Sequence, residues 1–121
     1  MISTKMAERI CQDWIKAWND RNLDALVTPF SDDIELTSPM VVKLFKLPMG
    51  TIKGKDMLRE YFSKGLEAYA DFKFESLAIF AGMDSVMLQY RGVDGSMVAD
   101  YFALDYDGLI KKAVVHYQGK G

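Results

Sequence analysis

Two Asp-Gly pairs, Asp94-Gly95 and Asp107-Gly108, separate runs of alternating apolar residues in the last third of the chain. Asp-Gly is among the strongest local signals for a tight hairpin, because both residues tolerate the positive φ angles that such turns need. The pairs therefore predict that the last three strands form an antiparallel meander. Four strands are predicted in this half of the chain, near residues 71–82, 84–93, 96–106 and 109–118.

The first half of the chain has the spacing of helices instead. Apolar residues recur at three- and four-residue intervals and predict a first helix with the buried stripe Ala7, Ile10, Cys11, Trp14, Ile15 and Trp18. Ser3 or Thr4 could cap it. Asn22 can cap a short second helix that ends at Thr28, before Pro29. A third helix is predicted over residues 54–66.

A short strand with Ile34, Leu36 and Ser38 on one face lies between the second and third helices. Helices first and a meander afterwards predict an α+β fold in which the helices cover one face of a curved sheet. At 121 residues the chain is long enough to form its own core. We expect one domain over residues 1–121.

Asp100 is the residue that most directly indicates a site. Period-two alternation places it on one strand face with Val98, Phe102 and Leu104, so that face is predicted to be inward. An ionised carboxylate without a partner is costly in apolar surroundings. Asp100 must therefore find a partner, be reached by water or hold its proton through a raised pKa. Each alternative predicts a pocket with an acid on its wall, provided that the face is assigned correctly.

Composition excludes several classes of function. The net charge of −2 offers no electrostatic attraction to nucleic acid or to acidic lipid. No apolar stretch reaches the length of a membrane span or a signal peptide, and Cys11 is the only cysteine, so a cytoplasmic protein is expected. His116 is the only histidine, which excludes a multi-histidine metal site. The glycines lack the spacing of a phosphate-binding loop. We expect no metal and no cofactor.

The order of these elements resembles a known superfamily. Its features here are Trp14-Ile-Lys-Ala-Trp-Asn-Asp-Arg-Asn-Leu, then Phe30-Ser-Asp-Asp-Ile-Glu-Leu, then Gly54 opening a helix, and finally Asp100-Tyr-Phe-Ala-Leu-Asp-Tyr-Asp-Gly-Leu-Ile. Together they resemble the nuclear transport factor 2-like proteins, in particular the SnoaL-like and ketosteroid-isomerase-like branch. The resemblance implies a cystatin-like, cone-shaped α+β barrel of mainly antiparallel strands, with three helices and a small apolar ligand at its mouth. Function is not implied, since the superfamily contains isomerases, cyclases, hydrolases, dehydratases and members without known catalysis.

The resemblance can be followed residue by residue. The helix position where ketosteroid isomerases carry a tyrosine is Trp14 here, and the position of their general base is Ser38, followed by Pro39 as in the family. Ketosteroid isomerases also carry a protonated aspartate, a carboxylic acid that its apolar site keeps neutral. The corresponding position here is Asp100. Without a neighbouring base, Ser38 cannot accept a substrate proton near neutral pH. Ketosteroid isomerisation by the usual route is therefore not expected.

Other residues are assigned to the predicted pocket by the same comparison. Tyr117 is implied to face the interior, and Tyr61 matches a pocket position of the family. Phe102 shares the face of Asp100. Alternation then turns His116 outward, toward solvent or a partner subunit. Each of these aromatic residues could equally be an ordinary core residue.

Residues 40–49 form a strongly apolar segment that is longer than the corresponding link in ketosteroid isomerases. Such a segment is not left in water. It is predicted either to close the mouth of the cone or to extend a dimer interface. The resemblance implies a homodimer through the outer face of the sheet.

Two functions follow from these observations. In the first, the protein binds a small hydrophobic, carbonyl-containing ligand, as a cofactor-independent enzyme of isomerase, cyclase or hydrolase type. Asp100 is then the acid, and Trp14, Ser38 and Tyr117 orient the ligand oxygen. In the second, the protein is a non-catalytic binding or dimerisation module whose cone is filled by its own side chains. The volume of the cavity distinguishes the two.

Overall fold

The computed structural model describes residues 1–69 and 71–119, which form a six-stranded sheet and four α-helices. The helices are α1 (Thr4–Asn19), α2 (Leu23–Val27), α3 (Pro39–Phe45) and α4 (Lys55–Ala68). The strands are β1 (Phe30–Thr37), β2 (Thr51–Lys53), β3 (Glu75–Ala81), β4 (Ser85–Arg91), β5 (Met97–Leu104) and β6 (Ile110–Tyr117). This mixed α+β architecture confirms the predicted fold class.

The first two helices begin at side-chain caps. The Ser3 hydroxyl accepts a hydrogen bond from Met6 N at 3.1 Å, and the Asn22 side chain accepts one from Ala25 N at 3.1 Å. These bonds satisfy amide groups that the helices themselves leave unpaired. Beyond the cap, the predicted stripe of α1 is buried, with its centre at Trp14 and Trp18, except for Ile10, which is half-buried. The sequence-based prediction of α1 is therefore confirmed.

The segment after β1 contains a helix and a strand that were not predicted. Ser38 caps α3 and Pro39 occupies its first turn, where a missing N–H costs nothing. The chain leaves α3 through Lys46 in the left-handed conformation and then forms the short strand β2, which pairs with β1. The prediction of three helices was therefore one too few, because the seven residues of α3, apolar except for Lys43, are too short a run to show helical periodicity.

The strands lie in the order β2-β1-β6-β5-β4-β3. All neighbouring pairs are antiparallel except β1 and β6, which are parallel and close the sheet between its two halves. The register is interrupted by irregularities at Phe30/Glu35, Ser76/Ala78 and Ala103/Leu104. Such irregularities bend strands and increase their twist. They account for a sheet that curves around α1 and α4.

The two Asp-Gly pairs form turns of different kinds. Asp94 and Gly95 have φ angles of 57° and 79°, and Ser96 N donates to Val93 O at 3.2 Å. This is the predicted tight turn. The second turn starts earlier, because the carboxylate of Asp105 accepts hydrogen bonds from the backbone N–H groups of Asp107 and Leu109, both at 2.9 Å. The second turn is therefore a longer loop, in which an Asp side chain replaces backbone partners.

Asn19 fastens the segment before β3 to the end of α1. Its side-chain amide donates to Phe74 O at 3.0 Å, and its side-chain oxygen accepts from Phe74 N at 2.7 Å. The side chain thus satisfies both backbone groups of Phe74 as a neighbouring strand would. Arg21 adds hydrogen bonds to the carbonyl oxygens of Leu66 and Tyr69, near the end of α4.

We expect Asn19→Ala to destabilise the protein by about 2 kcal/mol, because two hydrogen bonds are lost and both backbone groups of Phe74 are left unpaired. Asn19→Asp is the matched variant: it can still accept from Phe74 N but cannot donate to Phe74 O. Its loss should be smaller than that of Asn19→Ala. Urea unfolding of the three proteins measures the difference. Equal stability of Asn19→Ala and the unmodified protein would contradict this role.

None of the helices in the described part of the chain has the length and apolar character needed to cross a membrane.

Candidate functional site

Asp100 lies at the centre of the inner face of the sheet. On β5 it pairs with Leu88 of β4 on one side and with Val115 of β6 on the other. Only 1% of its surface is exposed, as the alternation predicted. Within residues 1–69 and 71–119, neither carboxyl oxygen has a hydrogen-bond partner. Asp100 is thus a buried acid with two unpaired oxygens.

Burial raises the pKa of the Asp100 carboxyl from 3.8 to about 8, because the charged form has lost its hydration. The Tyr90 hydroxyl lies close enough to oppose part of this rise by hydrogen bonding, although it makes no hydrogen bond of standard length and angle with either oxygen. Asp100 is therefore mostly protonated at neutral pH. In that form it offers an O–H donor to the interior rather than a base.

A cavity of about 70 Å³ adjoins Asp100, between the sheet, α1 and α4. Eleven of its nineteen lining residues are aromatic, and Asp100 is the only Asp, Glu, Lys, Arg or His among those that the structure describes. A second space of about 190 Å³ lies outside it. The two share the wall residues Met40, Tyr69, Phe74, Tyr90, Val93 and Tyr117. Together they approach the roughly 300 Å³ of the smallest ligand pockets.

Trp14 is the centre of the aromatic wall. Its ring centroid lies 5.2 Å from that of Tyr90 and 5.6 Å from that of Phe102, both edge to face. It also lies 6.0 Å from Trp18 and 6.0 Å from Phe74. Such pairs add to the stability that area burial provides. The wall beside Asp100 is therefore formed by rings that restrain one another.

Three phenol groups surround the acid. Tyr90 and Tyr117 both pair with Val98, two residues before Asp100, so they stand at diagonal positions on either side of it. Burial, and after it the charge of Asp100, raises the pKa of Tyr90 well above its ordinary value. Tyr117 is 43% exposed, but partial desolvation and then the charge of Asp100 still raise its pKa to about 12. Burial also raises the pKa of Tyr61, which extends from α4. All three are neutral hydroxyl groups at neutral pH.

The structure brings together most of the residues that the sequence assigned to a site. Trp14, Tyr61, Phe102 and Tyr117 line the cavity with Asp100. Ser38 does not line it: its hydroxyl accepts from Met40 N at 3.1 Å and from the Tyr61 hydroxyl at 3.2 Å. Ser38 was predicted to lie on the inner face of the strand, but β1 ends at Thr37 and Ser38 caps α3 instead.

Several wall residues were not predicted, among them Tyr90 and Trp18. Tyr90 alternates with Leu88 on β4, and Trp18 follows Trp14 by one helical turn. The signal was present in the periodicity, but it did not distinguish these rings from ordinary core.

Other reactive groups lie outside the site. His116 is exposed on the outer face, as alternation predicted. Cys11 is buried, and burial together with the charge of Asp100 raises its thiol pKa to about 12, so no thiolate is available at neutral pH. Residues 1–69 and 71–119 contain no group of three or more His, Cys, Asp and Glu side chains that could hold a metal ion.

The apolar segment 40–49 forms part of the cavity wall. Met40 and Leu44 line the cavity, and Val41 is fully buried. Met49 remains 85% exposed. Of the two predicted positions, closure of the cone mouth agrees with the placement of α3.

Known proteins with similar sequences and structures share this architecture. The sequence profile of the SnoaL-like domain matches residues 11–112. A crystal structure of a SnoaL-like protein of unknown function from Burkholderia thailandensis is 36% identical, covers 98% of each chain and superposes with a TM-score of 0.93. The protein belongs to the SnoaL-like family. A comparison with curated proteins finds no match.

More distant structures share the fold of this SnoaL-like protein. A protein of unknown function from Cytophaga hutchinsonii, described as nuclear transport factor 2-like, is 18% identical with a TM-score of 0.68, over 98% of this chain and 92% of its own. The epoxide hydrolase/cyclase-like enzyme SalBIII, described in pyran ring formation in the polyether salinomycin, is 20% identical with a TM-score of 0.74, over 98% and 95%. At these identities the likeness concerns the fold alone.

Proposed function

We propose that this SnoaL-like protein binds a small, mainly apolar ligand in the cavity beside Asp100, and that protonated Asp100 donates a hydrogen bond to a carbonyl oxygen of that ligand. The observation that carries the proposal is a pair of buried, unpaired carboxyl oxygens on a residue that lines an aromatic cavity. Buried polar groups in native proteins almost always have partners. A ligand oxygen would supply the missing one.

The chemistry that this arrangement favours is stabilisation of negative charge on an oxygen atom. A neutral acid and neutral phenols in a water-poor site stabilise an enolate or a tetrahedral oxyanion more strongly than they would in water. Asp100 is a poor general base at neutral pH, because most of it is already protonated. The proposed enzyme is therefore of isomerase, cyclase or hydrolase type, without a cofactor, and its proton acceptor is the ligand itself or water. SalBIII shows that this fold accommodates a hydrolase/cyclase-like enzyme.

One observation favours the second candidate, a module without catalysis. The inner cavity of about 70 Å³ is far smaller than a typical ligand pocket. A ligand larger than a few atoms must also occupy the outer space or displace side chains of α3. The second candidate leaves the unpaired oxygens of Asp100 unexplained, so the ligand hypothesis is preferred.

Cyclohexanone binding at different pH values tests the proposal. The affinity should be highest when Asp100 is protonated and should decrease as the pH rises through about 8, because the ionised form cannot donate. Calorimetry between pH 6 and pH 9.5 measures the affinity. NMR of the labelled Asp100 carboxyl carbon measures its pKa, which bound ketone should raise further.

Two variants control this experiment. Asp100→Asn keeps a donor of the same shape and should bind the ketone with little dependence on pH. Asp100→Leu has no donor and should bind about tenfold more weakly at pH 7, since it loses one buried hydrogen bond. If the ketone leaves the Asp100 resonance unchanged at every pH, the proposed role of Asp100 is wrong.

We also propose that a second copy of the chain covers the outer face of the sheet. Phe80, Met87, Tyr101 and Val114 are consecutive cross-strand partners from β3 to β6 and form an apolar row there. Phe80 is 58% exposed. Monomeric soluble proteins rarely expose large continuous apolar patches.

Met87→Glu should convert a dimer into a monomer, because a charge would be buried in the middle of this row. Gln12→Glu, which adds the same charge on an exposed position of α1, should leave the dimer intact. Sedimentation velocity of the three proteins at matched concentrations measures the change. A monomeric unmodified protein at 100 μM would contradict the proposed dimer.

A further inference from the structure

The segment between β1 and β2 begins and ends at the same place on the sheet. Ser38 N donates to Gly50 O at 2.9 Å, so the two ends of the segment meet there, and residues 39–49 lie between them. A Cβ atom at Gly50 would lie 3.1 Å from Ser38 O, closer than nearly all real Cβ contacts. Compact surface loops of this kind, whose ends lie close together, are frequently functional. Such a loop can pivot about its base while β1 and β2 keep their pairing.

α3, which lies in this segment, is the least buried of the helices that line the cavity. Within the described residues 1–69, α3 has one buried residue, Val41, whereas α1 has six and α4 has three. Its packing is mainly against α4 and β2 rather than against the centre of the sheet. Elements with few buried apolar contacts open at a lower free energy than the rest of a fold. α3 is therefore the helix of the wall that moves most easily.

The two ends of α3 are held against α4 by contacts of different strength. At its start, the Tyr61 hydroxyl donates to the hydroxyl oxygen of Ser38 at 3.2 Å, and both residues are buried. At its end, Lys64 Nζ lies over the Phe45 ring, 5.8 Å from the ring centroid. Lys64 and Phe45 are only partly buried, and a cation–π contact is weak where water reaches it. The end of α3 is therefore held more weakly than its start.

The inner cavity is too small for a ring-shaped ligand while α3 lies in this position. A cavity of roughly 150 Å³ holds benzene, whereas the inner cavity has a volume of about 70 Å³. Met40 and Leu44 of α3 line it, and Met40 also lines the outer space of about 190 Å³. Displacement of α3 would widen the passage between the two spaces.

From these contacts we infer that α3 is a lid, which pivots about the base formed by Ser38 and Gly50. Release of the Phe45 ring from Lys64 comes first, because that contact is the weaker one. The open lid then gives a ligand access to the cavity. The admission of a ligand rests on the proposed function, but the movement of the lid belongs to the ligand-free protein and can be measured there.

Thiol labelling of Val41→Cys tests the movement without a ligand. Val41 and the native Cys11 of α1 are both 0% exposed, so each thiol reacts with iodoacetamide only when its own surroundings open. In the same molecule, the thiol introduced at position 41 should react about 100-fold faster than Cys11, because a local opening requires less free energy than global unfolding. Mass spectrometry of the labelled peptides measures both rates. Similar rates for the two thiols would mean that α3 opens only when the whole protein unfolds, and the lid would be wrong.

Lys64→Met tests the weaker end of the lid. Methionine keeps an apolar chain at this position but removes the ammonium group that lies over the Phe45 ring. Labelling of Val41→Cys should become about threefold faster, as expected for the loss of one partly exposed cation–π contact, while Cys11 keeps its rate. Lys43→Met makes the same chemical change at an exposed position of α3 and should leave both rates unchanged. Equal acceleration by the two substitutions would show that the contact between Lys64 and Phe45 does not hold the lid closed.

Binding kinetics connect the lid to the proposed function. Because a lid must open for both the entry and the release of cyclohexanone, Lys64→Met should raise the association and dissociation rate constants by the same factor of about three. Kd should not change. NMR exchange measurements give both rate constants. Faster labelling of Val41→Cys with unchanged rate constants would mean that the ligand enters elsewhere and that α3 is not its lid. If cyclohexanone does not bind, the proposed function fails, and thiol labelling alone decides whether α3 opens.

Discussion

Asp100→Asn should stabilise the protein at pH 7 by on the order of 4 kcal/mol. The pKa of Asp100 is about 8 in the folded protein, against 3.8 as its ordinary value. Between these values the unfolded chain releases its proton and the folded protein keeps it, so ionisation favours the unfolded chain. Each pH unit of this window costs about 1.4 kcal/mol. Asparagine has the shape of the neutral acid but does not titrate.

The stability difference between Asp100→Asn and the unmodified protein should depend on pH, because only Asp100 titrates. Below about pH 4 both states of Asp100 are protonated, so the variant and the unmodified protein should have similar stability. As the pH rises, the contribution of Asp100 to stability is lost progressively, until the folded protein also ionises near pH 8. The stability difference should therefore grow between pH 4 and pH 8 and remain constant above that range.

Urea unfolding of both proteins at several pH values between 4 and 9 measures this difference directly. Asp107→Asn is the matched control, because that side chain is exposed. It should leave the pH dependence of the unmodified protein unchanged. A difference between Asp100→Asn and the unmodified protein that stays constant with pH would mean that Asp100 is ionised normally in the folded protein.

If Asp100→Asn is more stable at pH 7, as expected, the protein keeps a destabilising residue at the centre of its sheet. An acid that costs several kcal/mol to keep in the fold is expected where it serves a function, since functional sites are where proteins tolerate unfavourable groups. The stability of Asp100→Asn measures how much Asp100 destabilises the fold. The ketone affinity of the unmodified protein measures what Asp100 contributes to binding.

Much of this arrangement could be predicted from local sequence. Alternation along β5 is sufficient to place Asp100 and Phe102 on one face, because side chains on a strand repeat every two residues whatever the strand pairs with. The helical stripe that contains Trp14 is equally local. These two patterns predicted an inward-facing acid and a buried helix stripe, and the resemblance to the family assigned Trp14 to the pocket. The structure brings both residues to the same cavity.

The rest depends on contacts between distant parts of the chain. The parallel pairing of β1 with β6 joins residues about 80 positions apart, for example Phe30 with Ile110, and no local pattern specifies it. Whether Tyr90 stands beside Asp100 depends on the register between β4 and β5. Ser38 shows the same limit at short range, because an apparent strand residue became a helix cap once the chain turned into α3.

The size of the cavity was the least predictable feature. It is the small space left after eleven rings have packed, and a shift of one ring changes it by a large fraction. Sequence can count the rings but cannot give their angles. Mutation of the ring at the centre of the wall therefore tests the packing most directly.

Trp14→Ala should destabilise the protein by about 3–5 kcal/mol, the usual cost of truncating a large buried aromatic residue. Trp14 is 5% exposed and loses edge-to-face contacts with Tyr90 and Phe102. Trp14→Phe is the matched variant, since it retains one aromatic ring and should lose clearly less. Unfolding free energies of the three proteins give the comparison.

The space left by Trp14→Ala would join the existing cavity and should bind indole, because an apolar cavity accepts an apolar guest of matching shape. Indole at 1 mM should raise the melting temperature of Trp14→Ala and leave those of Trp14→Phe and the unmodified protein unchanged. A destabilised variant that indole fails to rescue would mean that the wall collapses when its central ring is removed. Rescue would show that the helices and the sheet hold the cavity open by themselves, as a site that admits ligands of different sizes requires.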